Sequence, residues 1–395
     1  MWLQLSAVGA RRNTACMTFA VVAVALCGPG STWAEAEPSA GAAQAAVISA
    51  SAEIAGFCDG SVLVVAPSLD GSIDAGTRGR FRAHTAVDLV SGATRALKSD
   101  VVSSATHFRE QREDFVVGWR SAAGEAEVGA SFAGSSERDF RSLGGRIEGS
   151  VEVFGRRTKL DAAIGGSIET MWLPGASPSW RDLVAATLDV SAAQILSRRM
   201  VLLVALQLRT HRCDAAVGCQ ASPYRAVALQ WADGDRTSIR ERHPAQRLRG
   251  AAVTTLSWTP LHGLALHAEG RGSTDDWGVD GASAALAVAM EGFGGASQLR
   301  IEGRSAAFMA ADFFRRVDVI TAAGAPAFRT GDRRLGGMVV TSIGAEVDHR
   351  LGALAGLGTV GVTVHAMRQW TDYRGFADAL GRRAWVGGLG LRVQP

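Results

Sequence analysis

Arg146-Ile-Glu-Gly-Ser-Val-Glu-Val153 is the stretch on which the fold turns. Ile147, Val151 and Val153 alternate with Arg146, Glu148 and Glu152. A strand sends successive side chains to opposite faces, so this one has an oily face and a charged face. The period returns along the chain. Lys159 and Asp161 stand on the charged side of Thr158–Thr170. Leu206 and Leu208 oppose Gln207, Arg209 and His211, and Leu264 and Leu266 oppose His267, Glu269 and Arg271. Leu299 and Ile301 face away from Arg300, Glu302 and Arg304.

Alternation alone would also suit a soluble sandwich, and length separates the two. Soluble strands average about 5–6 residues, whereas a tilted membrane strand needs ~9–11. Phe108–Ser121, Thr158–Thr170, Asp182–Gln194, Arg247–Trp258 and Ala355–Met367 reach the longer figure. Turn-rich stretches such as Pro174-Gly-Ala-Ser-Pro178, Asp233-Gly-Asp235 and Ala323-Gly-Ala-Pro326 part such segments. A charged face suits a wet interior better than a packed core, because unpaired buried charge is costly. Units of ~20 residues per strand and turn, with the even numbers bacterial barrels adopt, give 16 to 18 strands. The expected fold is all-β: a transmembrane antiparallel up-and-down β-barrel wide enough for an aqueous channel. Its lumen would be lined by the charged-face residues named above, and its oily face would meet outer-membrane lipid.

The N-terminus reads as a secretory signal over residues 1–36. Arg11 and Arg12 supply positive charge, Ala15 to Leu26 an apolar run, and Ala34-Glu35-Ala36 a small-x-small cleavage site. Leu26 before Cys27 does not fit a lipoprotein signal. Residues 37–60, rich in Ala and Ser, read as a flexible lead-in, and 61–395 as the barrel, with too few residues before Ser61 for a plug domain. In an exported chain, Cys213 and Cys219 around Asp214–Gly218 read as a local disulfide, with Cys58 left over as a free thiol. Only His211 lies near that pair, so a zinc site there is weakly supported. No metal or other cofactor is expected.

The net charge of +3 and the absence of a basic cluster argue against nucleic acid as a partner. The basic residues are nearly all arginine, with lysine only at positions 98 and 159. A GC-rich genome is the plain cause. A guanidinium-lined channel for acidic ligands is the other, and composition cannot place those groups in a lumen. Trp119, Trp172, Trp180, Trp231, Trp258, Trp277, Trp370 and Trp385 lie near predicted strand ends, as an interfacial girdle would require, though scattered core tryptophans would look the same.

Several motifs carry a resemblance. Asp88-Leu-Val-Ser-Gly-Ala-Thr94 is echoed by Asp100-Val-Val-Ser-Ser-Ala-Thr106, with Asp88, Ser91, Asp100 and Ser103 at matching places. Then follow Ser222-Pro-Tyr-Arg225, Glu241-Arg-His-Pro244 with Arg247 and Arg249, Asp275-Asp276-Trp277-Gly-Val-Asp280, Ala311-Asp312-Phe-Phe314 and Asp332-Arg-Arg-Leu335. Their order resembles a domain-of-unknown-function family of Gram-negative outer-membrane barrels, over roughly Leu63 to the C-terminus. Some members are similar to the porin of exopolysaccharide export. The resemblance therefore implies a polysaccharide cargo and a periplasmic polysaccharide-export protein as partner. The terminal aromatic common in such barrels is absent, since the chain ends Leu391-Arg-Val-Gln-Pro395. By itself, the doubled motif reads as a tight small-residue turn, either a constriction in the lumen or a structured loop.

An outer-membrane hydrolase is the rival from another class. His243, Asp275 and Asp276 are candidates, but no serine sits in a Gly-x-Ser-x-Gly elbow. A pore and not an enzyme is expected, either the exit for a polysaccharide or a general diffusion porin.

Overall fold

The computed structural model describes residues 47–59, 62–76, 79–93, 107–172, 180–213, 219, 226–230, 236–315, 317–319, 327–354, 358–374 and 381–394. The first strands are β1 (Val47–Cys58), β2 (Val62–Asp74), β3 (Arg80–Ala93), β4 (His107–Ala123), β5 (Ala126–Ser136) and β6 (Phe140–Val153). Then come β7 (Thr158–Trp172), β8 (Trp180–Ser197), β9 (Met200–Cys213), the short β10 (Ala226–Gln230) and β11 (Arg236–Arg240), β12 (Gln246–Leu261) and β13 (Leu264–Asp275). The rest are β14 (Gly281–Gly292), β15 (Ser297–Phe308), the short β16 (Val317–Val319), β17 (Met338–Leu354), β18 (Gly358–Tyr373) and β19 (Arg382–Gln394).

The sixteen long strands form one closed antiparallel barrel, each beside its neighbour in sequence, and β19 returns to pair with β1. Closure follows from the solvent. Lipid offers backbone amides no partner, so a strand can cross only where both edges are paired. No helix among the described residues is long and apolar enough to cross.

The register keeps the two faces separate from strand to strand. Ile147 stands beside Ile164, Ile164 beside Leu188, and Leu188 beside Leu208, all on the outside. Ile147 and Ile164 are 66% and 62% exposed, which large apolar side chains tolerate when lipid covers them. One residue along, Glu148, Ala163, Asp189, Gln207, Ala251 and Ser273 form the matching inner row. Trp119 and Trp258 face outward towards one end of the barrel, and Trp370 and Trp385 towards the other.

The two ends differ. At the end where β1 begins, consecutive long strands are joined by two to five residues, as at 75–79, 124–125, 198–199 and 262–263. At the opposite end the connections include 94–106, 214–245 and 309–337. Short periplasmic turns and long external loops are the usual asymmetry of bacterial barrels.

The structure departs from the sequence reading in several places. The lead-in expected over 37–60 contains β1, which pairs with β19 from Ala50–Val393 to Cys58–Trp385. Its alternation is present, with Ile48 and Ile54 outward and Ser51 and Glu53 inward, but Ala and Ser dilute the contrast. Cys58 is disulfide-bonded, not free, and its partner lies outside the described residues. Asp88 to Ala93 belong to β3 and form no turn, because their amides are used in the ladder with β2 and β4. Asp100, Ser103 and the rest of the second copy up to Thr106 lie outside the described residues. The strand expected at Ala355–Met367 is described from Gly358 and runs on to Tyr373. The signal segment, Trp231 and the three turn-rich stretches also fall outside the described residues.

Candidate functional site

The inner face carries a lattice of opposite charges. Arg146 pairs with Asp189 across β7, and Arg120 with Glu148 across β5, so each pair spans an intervening strand. Arg300 reaches Glu302 at 2.6 Å, Arg304 lies 3.6 Å from Glu269, and Lys159 lies 3.7 Å from Asp161. Gln207 donates to Asp189 at 2.8 Å, and His267 Nδ1 is 2.9 Å from the Ser257 hydroxyl. Glu152 pairs at 3.5 Å with Arg156 in the turn beyond β6. The register places Arg146, Glu148, Glu152, Lys159, Asp161, Gln207, Arg209, His211, His267, Glu269, Arg271, Arg300, Glu302 and Arg304 on this one face. A recess of about 270 Å³ is bounded by Arg120, Glu148, Asp189, Gln207 and Arg271, which come from strands spread between β4 and β13. Asp189 and Arg120 were not singled out from sequence. Asp189 was legible, since it alternates with Leu188 and Val190 in a segment already read as a strand.

At the long-loop end the chain builds a second structure that alternation does not predict. The connections after β9 and after β15 meet in a three-stranded sheet, where β10 pairs antiparallel with β11 and parallel with β16. Arg242 and Arg329 exchange backbone hydrogen bonds of 3.0 and 2.8 Å. Asp312 N donates to Trp277 O at 2.9 Å, and Ala311 N to Leu335 O at 2.8 Å. Beneath these stitches lies a small hydrophobic core of Cys219, Trp277, Ala311 and Leu335, packed against Val279, Phe313 and Phe314. The Cys213–Cys219 disulfide ties the end of β9 into it.

Trp277 is the centre of this cap, not part of a girdle. Its ring stands edge-on to Phe313 and His243, with centroids 5.2 and 5.4 Å apart. Its Nε1 donates to Gln246 O at 2.8 Å. Asp275 fixes the turn that presents it, with Oδ1 accepting from Trp277 N at 3.0 Å and from Val279 N at 2.9 Å. Asp275 Oδ2 accepts from Arg247 Nε at 2.9 Å, and that guanidinium lies 4.2 Å from the Trp277 ring centre. Asp276 accepts from Leu248 N at 3.0 Å, tying the same turn to β12. Gly278 has φ of 77°, and a Cβ there would collide with the Asp312 carboxylate.

Charges buried in the cap are partnered. His243 Nδ1 is 2.6 Å from Cys219 O, and its Nε2 is 3.1 Å from Glu241. Glu241 accepts from the Thr330 hydroxyl, whose oxygen accepts from Asp332 N at 3.0 Å. Asp332 then caps the 3-10 turn Arg333–Leu335 through Arg334 N at 2.9 Å. The motifs around Glu241, Asp275, Ala311 and Asp332, far apart in sequence, thus form one packed knot. Thr330 lay in no motif and carried no periodic signal.

Comparison with known proteins covers the same region. Residues 181–359 match the family model described as "Protein of unknown function (DUF3570)". The DUF3570 segment contains the described cap and eight of the long strands wholly or in part, β8, β9, β12–β15, β17 and the start of β18. It excludes the doubled Asp-x-Val-Ser motif. Among solved structures, a "Bacterial polysaccharide outer membrane secretin" aligns with TM-score 0.47 and 9% identity over 88% of this chain and 98% of that one. CdiB from Acinetobacter baumannii aligns with TM-score 0.49 and 8% identity over 88% of this chain and 60% of that one. OccK2 of Pseudomonas aeruginosa, solved with glucuronate, aligns with TM-score 0.41 and 10% identity over 88% and 97%. No curated protein matches the chain.

Proposed function

We propose that this barrel sits in the outer membrane as the exit channel for a secreted polysaccharide, working with a periplasmic polysaccharide-export protein. The observation that carries this reading is the inner face. It offers rows of paired acids, arginines and amides at hydrogen-bonding distance from one another. Such a surface can trade hydrogen bonds with passing hydroxyls without one deep well, and conduction needs sites weak enough to leave. The resemblance of the motifs to export porins supports the choice of cargo. The activity is passage, with no bond made or broken.

A wide open pore would leak small solutes, so the channel needs a closure. The cap is its gate in this reading, because Trp277 already covers the inner-face side chain of Arg247 at the mouth. The flat rim of short turns at the other end is where the periplasmic partner would dock. A clean deletion strain tests the proposal. Surface polymer should disappear while the repeat unit is still made. Normal surface polymer with reduced uptake of a small dye would transfer the case to a general diffusion porin.

A further inference from the structure

Several inner-face guanidiniums contact an acid directly, but one group just inside the cap is held more loosely. Arg209 and Arg249 stand directly opposite each other on β9 and β12, an arrangement that like charges disfavour. Each reaches an acid only loosely, Arg209 meeting Glu169 and Arg249 Nε meeting Asp275 at 3.9 Å. Asp275 is already held by Arg247 at 2.9 Å. Arg271, whose charge also bears on Arg249, has no ion-pair partner among the described residues. Among the described residues, Arg271 therefore adds a cation with no acid of its own to a patch where Arg209 and Arg249 reach theirs only at 3.9 Å. Arg120, Arg146 and Arg300, elsewhere on the same face, each contact a carboxylate directly.

A second observation points to a ligand. His211, opposite Arg247 and two residues from Arg209, is 2% exposed, and both its ring nitrogens are buried without a hydrogen-bond partner among the described residues. Buried polar atoms in native structures are nearly always satisfied, so an orphan of this kind calls for a missing partner. The charges of Arg209, Arg247 and Arg249 all bear on its ring. Arg209 and Arg249 keep 44% of their side chains exposed to the lumen, and Arg271 borders the 270 Å³ recess.

We propose that Arg209, Arg249 and Arg271, with His211 behind them, form a docking point for carboxylates, so that the cargo is an acidic, uronate-bearing polysaccharide. A guanidinium presents two parallel N–H donors that match the two oxygens of a carboxylate. The three guanidiniums stand along one inner face, Arg271 at the edge of the recess and Arg209 and Arg249 opposite each other nearer the cap, so that a passing acidic chain meets them in turn. Their exposure to water keeps each contact weak enough to release. This proposal rests on the export reading for its cargo but not for its chemistry.

The test is calorimetric titration of the full-length protein in detergent with trigalacturonate, maltotriose and a sulfated trisaccharide. Trigalacturonate should bind saturably, weaken as salt rises, and lose about tenfold in affinity in the Arg209→Gln/Arg249→Gln double variant. Maltotriose should show no binding, and Arg300→Gln should leave trigalacturonate binding unchanged. If the double variant does not assemble, judged by heat-modifiable migration, Arg271→Gln alone should still weaken binding. Equal binding of the neutral and acidic trisaccharides overturns the site, as does binding indifferent to these substitutions. Preference for the sulfated sugar overturns the carboxylate assignment. Selective trigalacturonate binding together with normal surface polymer in the deletion strain would keep the site and remove the export reading. Lost surface polymer without such binding would keep export and remove the site.

Discussion

In the wall of the barrel, Ile147, Ile164, Leu188 and Leu208 are exposed on the outer face, whereas in the cap Trp277, Phe313 and His243 point at one another. The wall is held by backbone ladders, with the oily side chains left for lipid. The cap is held as a soluble domain is, by apolar packing, a disulfide and buried charges that each find a partner. Substitutions should therefore act by different rules in the two regions. In the wall what matters is the face a residue occupies. In the cap what matters is volume and hydrogen bonding.

The largest effect should come from Trp277→Ala. Emptying a buried tryptophan site costs about 3–5 kcal/mol, which exceeds what so small a core can spare. The cap connections should become protease-sensitive while the barrel keeps its heat-modifiable migration. If the barrel failed to assemble as well, wall and cap would be one cooperative unit and the contrast would fall. Next in size is Ile301→Arg, which puts a charge on the lipid face at a cost of ~2–4 kcal/mol near the bilayer midplane. It should reduce the assembled fraction on a gel. Gly278→Ala should cost the cap about 1–2 kcal/mol, because φ of 77° disfavours a side chain, and thermal melting followed by limited proteolysis would read it. Smallest is Arg300→Ala, one residue from Ile301 but on the wet face, where loss of an exposed ion pair is worth about 0–1 kcal/mol. Equal damage from Arg300→Ala and Ile301→Arg would mean the two faces are exchanged.

The same contrast explains what could be read from sequence. The wall was legible because each strand repeats one rule, and Arg146 to Val153 already states it. It faded where small residues blurred the rule, as in β1, whose Ser-Ala-Ser-Ala run hides a period marked only by Ile48, Glu53 and Ile54. The cap was legible only as motifs. Asp275-Asp276-Trp277 stood out as a pattern, yet nothing local says that Trp277 packs on Phe313 or that Glu241 meets Thr330, 89 residues away. Those contacts depend on the connections after β9, β13 and β15 meeting at one end of the barrel, and period-two alternation carries no information about them. The arginine-rich composition had two readings, and the register adds only that Arg209, Arg249 and Arg271 share the inner face.

In the function proposed above, the cap pinned on Trp277 gates the channel at one end. Planar-bilayer recording of the full-length protein against Trp277→Ala tests it most directly. The account predicts a wild-type channel that is closed for most of the record and a variant that conducts continuously at high conductance. Equal, steady conductance in the two proteins would contradict it.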